Sequence, residues 1–399
     1  MRVLGAPYLF TRASGGKAVC LADGALALDG DRVVEAGPRS AVEARFGRAE
    51  PLDAVILPAL VNAHTHLELS HLAGRVPGGG GLAGWVGRLV RERAAAPEDP
   101  AAVEAAVASL ARHGVAAVGE VTNTLAALPA LRRAGLAGTL FHEVFGLSEA
   151  RIGAALAEAE ASRDAAPAPG PGLRIVPSPH AVYSTHPREV ARLLGAGPAS
   201  IHVAEDPAER AFVTRGDGPL AGLLAALGAS EVRPSGRSPL ACAAGLHAGN
   251  LAVHAVDLDA EDLELLRRTG ATAVLCPRSN RHVGERLPDL PRLLGAGLRL
   301  AVGTDSLASS PSLSPLAELA ELATAYPEVP ADRLLPLAWD GVCVGAPAVG
   351  RLGPGTSPGV LALPLGGARP ADPAAWLLQA AAAGAELRWL ARHRPEAAA

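Results

Sequence analysis

Short apolar runs alternate with longer amphipathic segments through most of the chain. Runs that are apolar almost throughout are typical of strands buried on both faces of a parallel sheet. The segments between them, such as 100–112 and 148–164, have the Ala/Glu-rich composition of helices. The runs lie at 57–66, 114–121, 136–144, 173–180, 199–204, 250–255, 271–276 and 298–305. Eight alternating βα units predict an α/β fold with a (β/α)8 TIM-type barrel.

The two ends of the chain have a different, strand-rich pattern. Near the N-terminus, runs 25–28 and 32–36 flank Asp29-Gly30-Asp31, which predicts a β-hairpin because glycine tolerates positive φ. Near the C-terminus a further strand is predicted at 359–363, followed by a Pro/Ala-rich connection and a last short apolar segment. We expect the two ends to pack beside each other.

These patterns give a domain division. Residues 1–57 and 350–399 are expected to form one small discontinuous β-domain, and residues 58–349 the barrel. After the eighth barrel strand, helices are predicted at 315–326 and 332–344.

Charge and cysteine content exclude several classes of partner and fold. The formal net charge of −4 does not favour binding to nucleic acid or to an anionic membrane. No apolar run approaches the roughly 18 residues of a membrane helix, and the N-terminus lacks the cationic start of a signal peptide. The four cysteines contain no Cys-x-x-Cys pair, so reduced thiols are expected. We therefore expect a cytoplasmic protein with a small-molecule substrate; a homodimer is compatible with the sequence.

Polar residues that can bind a metal lie at the carboxyl ends of the predicted strands, where barrel enzymes place their chemistry. His64 and His66 are two positions apart in a strand and so point to the same face. His202 ends the fifth strand and Asp305 the eighth. Three imidazoles and one carboxylate suit Zn²⁺ or Fe²⁺ with a position left for water. The simpler alternative for Asp305 is that it caps the next helix.

Two more residues are candidates for proton transfer. Glu205 lies three residues beyond His202, and a carboxylate there can act as general acid and base between water and substrate. The alternative is a solvated loop glutamate. His254, at the end of the sixth strand, can orient the attacking hydroxide, bind a second metal or be structural, and we favour the first role.

Taken together, these motifs resemble the amidohydrolase superfamily. The resemblance rests on Leu60-Val-Asn-Ala-His-Thr-His-Leu-Glu68, His202-Val-Ala-Glu205, His254, Cys276-Pro-Arg-Ser-Asn280 and Gly303-Thr-Asp-Ser306. Within the superfamily, the chain resembles the mononuclear branch of adenosine-, guanine- and cytosine-type deaminases and chlorohydrolases. The combination of the first and fourth motifs is most similar to aminodeoxyfutalosine deaminases of menaquinone synthesis.

The resemblance implies roles for individual residues. It implies His64, His66, His202 and Asp305 as metal ligands, Glu205 as proton shuttle, and His254 with Asp305 as the groups that activate water. Binuclear relatives bridge two metals with a carboxylated lysine on a barrel strand. The only lysine here is Lys17, outside the predicted barrel, so one divalent metal is expected, Zn²⁺ ahead of Fe²⁺.

Six further residues are candidates for contact with the substrate, because they follow the first, fourth and seventh strands: Glu68, Trp85, His180, Arg278, Ser279 and Asn280. His180 matches a position where relatives contact substrate, and a hydrogen-bonded loop histidine is its alternative. The alternative for Arg278 is a surface salt bridge.

The sequence thus predicts a hydrolase acting on carbon–nitrogen bonds, a metal-dependent deaminase of an amino-substituted purine or pyrimidine ring. A related enzyme that displaces another group, as a chlorohydrolase or amidase does, is the first alternative. A catalytically inactive barrel that serves as a binding or scaffold protein is the second.

Overall fold

A computed structural model describes residues 1–228 and 234–395. The strands of this part of the chain are β1 (Arg2–Ser14), β2 (Lys17–Asp29), β3 (Arg32–Pro38), β4 (Glu50–Pro51), β5 (Ala54–Pro58), β6 (Leu60–Thr65), β7 (Val115–Thr122), β8 (Ala137–Val144), β9 (Leu173–Pro179), β10 (Ser200–Val203), β11 (Leu251–His254), β12 (Thr272–Leu275), β13 (Leu300–Val302), β14 (Pro358–Pro364) and β15 (Arg388–His393).

Helices fill most of the intervals between these strands. They are α1 (Arg39–Phe46), α2 (Gly81–Ala95), α3 (Pro100–Arg112), α4 (Leu128–Ala134), α5 (Glu149–Ala165), α6 (Pro187–Ala196), α7 (Pro207–Arg215), α8 (Pro219–Ala226), α9 (Pro239–Cys242), α10 (Ala260–Thr269), α11 (Pro277–Gly284), α12 (Leu290–Gly295), α13 (Pro315–Ala325), α14 (Ala331–Leu334) and α15 (Pro373–Ala382). Short 3₁₀ helices lie at Leu67–Leu72, Leu335–Ala338 and Gly341–Val344. None of the helices in the described residues has the length and apolar character to cross a membrane.

The eight strands from β6 to β13 form two parallel four-stranded sheets, β6-β7-β8-β9 and β10-β11-β12-β13. All residues of β6, β7, β8, β10, β11 and β12 are buried, which explains why their sequences are apolar almost throughout. Parallel bridges from Ala181 to His202 and from Thr65 to Asp305 connect the two sheets at both of their edges. The predicted α/β fold with a strand after each helical segment is confirmed.

The N-terminal and C-terminal strands form a third sheet, with the order β15-β14-β5-β1-β2-β3 and with β4 beside β1. The predicted hairpin joins β2 to β3 and pairs Asp29 with Arg32, and Gly30 has the expected positive φ of 60°. From the other end of the chain, β14 runs antiparallel to β5, with Leu361 opposite Leu57. The two ends of the chain therefore meet in one sheet.

Two predictions for the C-terminal third were wrong. The single helix predicted at 332–344 is broken into α14 and two 3₁₀ helices, because Pro336 and Gly341 interrupt it. The predicted Pro/Ala-rich connection contains α15, which begins with Pro373 after the N-cap Asp372, whose side chain accepts hydrogen bonds from two backbone N–H groups.

Candidate metal and catalytic site

The predicted ligands and proton carriers are brought together at the carboxyl ends of the parallel strands. His64 is in β6, His202 is in β10 and His254 is the last residue of β11, while Asp305 follows β13. Gly303 allows the last of these strands to approach β6, because a Cβ at this position would lie 2.6 Å from the Cβ of His64. The backbone N–H of Asp305 then donates to the His64 carbonyl oxygen (3.0 Å).

The nitrogen and oxygen donors converge on a small volume. The Nε2 atoms of His66 and His202 are 3.2 Å apart. The Oδ1 atom of Asp305 lies 3.8 Å from His64 Nε2 and 3.6 Å from His66 Nε2. Donor atoms of His64, His66 and His202 lie within 4.8 Å of one another, and so do those of His64, His254 and Asp305. His254 therefore lies next to the four predicted ligands, with a ring nitrogen within 4.8 Å of donor atoms of His64 and Asp305.

The chemistry of this donor set fits a divalent metal ion. His64 is completely buried, yet neither of its ring nitrogens has a hydrogen-bond partner among the described residues. A buried polar atom without a partner carries a desolvation cost, which a bound ion removes. Burial, reinforced by neighbouring histidines, lowers the pKa of His64 well below its usual value, so the ring is neutral, as a ligand must be. Three imidazoles and one carboxylate can hold Zn²⁺ or Fe²⁺.

Contacts behind the ligands fix their orientation. His202 Nδ1 donates to the backbone carbonyl of His180 (3.0 Å), which leaves Nε2 free to face His66. Asp305 Oδ2 accepts from the Ser279 hydroxyl (2.6 Å), and its Oδ1 accepts from the backbone N–H of Ser306 (2.8 Å). Burial alone would raise the pKa of Asp305, but nearby histidines and the Ser279 hydroxyl hold that pKa below its usual value.

Glu205 and His254 form a buried pair beside these ligands. Glu205 Oε2 lies 3.5 Å from His254 Nε2. Burial, with the nearby charge of Asp305, raises the pKa of Glu205 well above its usual value. Burial lowers the pKa of His254 to about 3, although Asp305 acts in the opposite direction. Burial thus favours the protonated carboxyl group of Glu205 and the neutral imidazole of His254, the forms that can transfer and orient protons.

The backbone of the site contains several left-handed residues. Ala204, His254 and Asp305 have φ values of 55°, 78° and 57°, and none of them is glycine. Residues with side chains adopt this conformation at a cost of about 1–3 kcal/mol, and such residues concentrate at functional sites. The surrounding packing therefore holds the strand ends in these left-handed conformations, and the side chains of His254 and Asp305 line the cavity.

The site lies in a cavity of about 360 Å³. His66, His202, Glu205, His254 and Asp305 all line it. Apolar and polar groups line the rest, among them Trp85, Leu89, Arg93, Asn123, Phe145, Arg151 and Leu227. The cavity therefore combines an apolar surface with a cluster of groups that can carry out acid–base chemistry.

Three of the six residues predicted to contact substrate line this cavity: Glu68, Trp85 and His180. The carboxylate of Glu68 is already occupied, because it accepts hydrogen bonds from Thr122 Oγ1 and from the backbone and hydroxyl of Thr124. His180 Nδ1 lies 2.5 Å from the hydroxyl of Ser184.

The other three do not line the cavity. Ser279 and Asn280 instead contact two of the residues predicted to act in catalysis, since Ser279 donates to Asp305 and the Asn280 amide lies 3.0 Å from His254 Nδ1. Arg278 contacts the Ser312 hydroxyl (2.9 Å) and lies 3.7 Å from Glu318. Glu318 is completely buried and Arg278 is mostly buried, so this contact is not the surface salt bridge that was the alternative for Arg278.

Sequence reasoning missed Glu143, at the carboxyl end of β8. Its side chain lines the cavity, accepts a hydrogen bond from Asn123 Nδ2 (3.2 Å), and lies 3.4 Å from His202 Nδ1. Burial raises its pKa, although His202 acts in the opposite direction. The rule that selected the other residues, a polar side chain at a strand end, applies equally to Glu143 and could have found it.

Comparisons with known proteins agree with this geometry. The chain is 31% identical over 348 residues to the aminodeoxyfutalosine deaminase of Deinococcus radiodurans, covering 82% of this chain and 81% of the relative. It is 30% identical over 364 residues to the 5-methylthioadenosine/S-adenosylhomocysteine deaminase of Nitratidesulfovibrio vulgaris, covering 84% and 77%.

A solved structure and a family profile extend the comparison. The fold is similar to that of Helicobacter pylori aminofutalosine deaminase in complex with methylthio-coformycin, with a TM-score of 0.82 and 23% identity over 97% of this chain and 98% of the other. The profile described as "Amidohydrolase family" matches residues 55–337. The predicted class, a hydrolase acting on carbon–nitrogen bonds, is confirmed. The chain belongs to the amidohydrolase family.

Proposed function

We propose that this protein deaminates an adenine-type nucleoside by hydrolysis, and that the nucleoside carries a substituent on its 5′ carbon. The observation that carries the proposal is the juxtaposition of Glu205 and His254 with four convergent ligand groups in one cavity. The named relatives support it, because they are deaminases of nucleoside substrates.

The proposal includes a specific architecture. The two parallel sheets form one closed (β/α)8 barrel over residues 58–349, and the third sheet is the core of a small domain of residues 1–57 and 350–399. The bridges Thr65–Asp305 and Ala181–His202 support closure, because they join the first strand to the last and the fourth to the fifth. The site then lies at the carboxyl-terminal mouth of the barrel.

His64, His66, His202 and Asp305 would hold one metal ion, which we propose to be Zn²⁺. Such an ion would lower the pKa of a water molecule from about 15.7 to about 7, which would make the water a nucleophile at neutral pH. No lysine is present on the barrel strands to bridge a second ion, which supports a single-metal site.

Glu205 carries the protons in this proposal. Burial raises the pKa of its carboxyl group and so favours the protonated form, which can donate to the ring nitrogen next to the amino-bearing carbon. The carboxylate that remains can accept a proton from the attacking water and pass it to the amino group. The water oxygen stays on the carbon, and ammonia leaves. His254, which is neutral, orients the attacking water.

The rim of the cavity favours a substrate with an apolar extension. Val90, Phe145 and Leu227 line the cavity, and each is more exposed than large apolar residues usually are, with 40%, 54% and 45% of its surface accessible. Arg93 and Arg151 also line it and could pair with an acidic group at the end of such an extension. Free adenine or cytosine would leave this rim uncovered.

The test is ammonia release from a panel of substrates by the metal-loaded protein. We expect 5′-methylthioadenosine, S-adenosylhomocysteine or aminodeoxyfutalosine to be deaminated, with one ammonia released for each molecule in which oxygen replaces the amino group. Adenosine, guanine and cytosine should react more slowly. His64→Ala is the matched control and should lose both metal and activity. Ammonia release from none of these compounds would refute the proposal, and so would faster turnover of a free base.

A further inference from the structure

Glu209 is a buried acid that lies outside the set of residues assigned above. It belongs to the first turn of α7 and is completely buried. Its Oε2 accepts a hydrogen bond from the backbone N–H of Glu205 (2.9 Å). The other oxygen, Oε1, has no hydrogen-bond partner within the described part of the chain.

Helix capping alone does not explain this contact. The motif Asp206-Pro-Ala-Glu209 has the spacing of a capping box, in which the last side chain binds the backbone N–H of the first residue. Helix α10 has this arrangement, with Asp262 bonded to the N–H of Asp259. In α7 the side chain instead reaches one residue further back, to the N–H of Glu205.

The segment that Glu209 holds is the one that directs Glu205 into the cavity. Ala204 has a left-handed φ of 55°, so the chain turns sharply just before Glu205. The carbonyl of Ala204 accepts hydrogen bonds from the N–H groups of Val256 and Asp257 (both 2.8 Å), which fixes one side of this turn. On the other side of the turn, Glu209 accepts from the N–H of Glu205.

We propose that Glu209 is a positioning residue for Glu205: its carboxyl group fixes the turn after β10 and so holds the proton carrier beside His254. This proposal rests on the role of Glu205 in the proposed function. Burial raises the pKa of Glu209 to about 8, so the group is a neutral acid at neutral pH. A glutamine at this position would match it in charge and shape and could still accept from the backbone N–H of Glu205.

The test compares two substitutions of Glu209. Glu209→Met fills the space but accepts no hydrogen bond, and Glu209→Gln keeps an acceptor. Because a misplacement of about 1 Å can cost about 10²-fold in rate, we expect Glu209→Met to lower kcat by about that factor, with KM and bound metal unchanged. Glu209→Gln should keep most of the kcat. Asp372→Ala, which removes an equivalent backbone contact at the start of the distant helix α15, should lower Tm without lowering kcat.

A double-mutant cycle separates positioning from a general structural role. If Glu209 acts through Glu205, then Glu209→Met should cause no further loss of kcat in a Glu205→Gln background. Losses that multiply would overturn the proposal, as would loss of metal in Glu209→Met.

A crystal structure of Glu209→Met gives an answer that does not depend on activity. The proposal predicts that the Glu205–His254 distance, 3.5 Å in the wild-type protein, increases by about 1 Å. An unchanged distance would overturn the role of Glu209 even if the protein is a deaminase. Conversely, a shifted Glu205 in a protein that deaminates nothing would refute the proposed function and leave the positioning role intact.

Discussion

Replacing Glu205 with glutamine removes the proposed proton carrier while changing the volume of the side chain very little. Glu205 is not one of the four proposed ligands, and its Oε2 lies 3.5 Å from His254 Nε2. The amide can still occupy the same space between β10 and the cavity. It cannot accept a proton from water and return it to the substrate.

The structure sets the size of the expected effect. Only 8% of the Glu205 side chain is exposed, so bulk water has little access to take over the proton transfer. General acid–base groups contribute about 10²–10⁴-fold to turnover, equivalent to about 2.7–5.4 kcal/mol of activation free energy. We expect kcat to fall within this range and KM to change little.

The assay is steady-state ammonia release, with metal content measured on the same preparations by plasma emission spectroscopy. Glu205→Gln should retain the wild-type amount of metal. Glu264→Gln is the matched control, because Glu264 is exposed on α10 and pairs with Arg267 at the surface. This control should keep wild-type kcat and metal content.

Two results would exclude Glu205 as the proton carrier. If Glu205→Gln released the metal, Glu205 would be a ligand and could not be the proton carrier. If it deaminated at a nearly normal rate, the proton would have to travel through another group, of which His254 is the nearest.

Three further predictions follow from contacts around the site. Ser279→Ala removes the 2.6 Å hydrogen bond to Asp305 and should weaken metal binding by about 10–100-fold in a chelator competition, whereas unchanged affinity would make this contact unimportant. Phe145→Ala should raise KM for 5′-methylthioadenosine more than for adenosine in parallel kinetics; equal changes would exclude Phe145 from recognition of the substituent. Burial raises the pKa of Glu318 from 4.5 to about 8, so its stabilising effect is complete below about pH 4.5 and is lost as the pH rises through 8. Glu318→Gln should therefore flatten the decline of the unfolding free energy between about pH 5 and 9 in urea titrations, and an unchanged decline would contradict the shifted pKa.

The strands and the clustering of the candidate metal ligands could be predicted because one physical constraint produces both signals. Strands covered on both faces must be apolar throughout, so a polar residue such as His202 or Asp305 is conspicuous where a run ends. The carboxyl ends of the parallel strands all lie at the same end of a barrel. Residues distant in sequence could therefore be assigned to one site without knowledge of their separations.

Features that depend on side-chain direction could not be predicted in the same way. Arg278, Ser279 and Asn280 are consecutive, but successive residues of α11 point about 100° apart around the helix. Consequently Ser279 and Asn280 reach Asp305 and His254, while Arg278 turns to Glu318. The contact of Glu209 with the backbone of Glu205 likewise depends on the turn at Ala204, whose left-handed φ has no signal in the sequence.

Helix α15 was missed for a different reason. Its Pro/Ala-rich composition resembles that of a linker, although Asp372 followed by Pro373 is a strong signal for a helix N-terminus. The Asp372-Pro373 pair correctly indicates the start of a helix, whereas the overall composition of the segment does not.

To test whether one metal ion supports hydrolytic deamination at this site, the metal-free protein can be titrated with Zn²⁺ while ammonia release from 5′-methylthioadenosine, or from the best substrate of the panel, is followed. We expect activity to rise in proportion to added metal and to reach its plateau at about one equivalent per chain. A plateau that requires two equivalents, or full activity in the metal-free protein, would contradict this expectation.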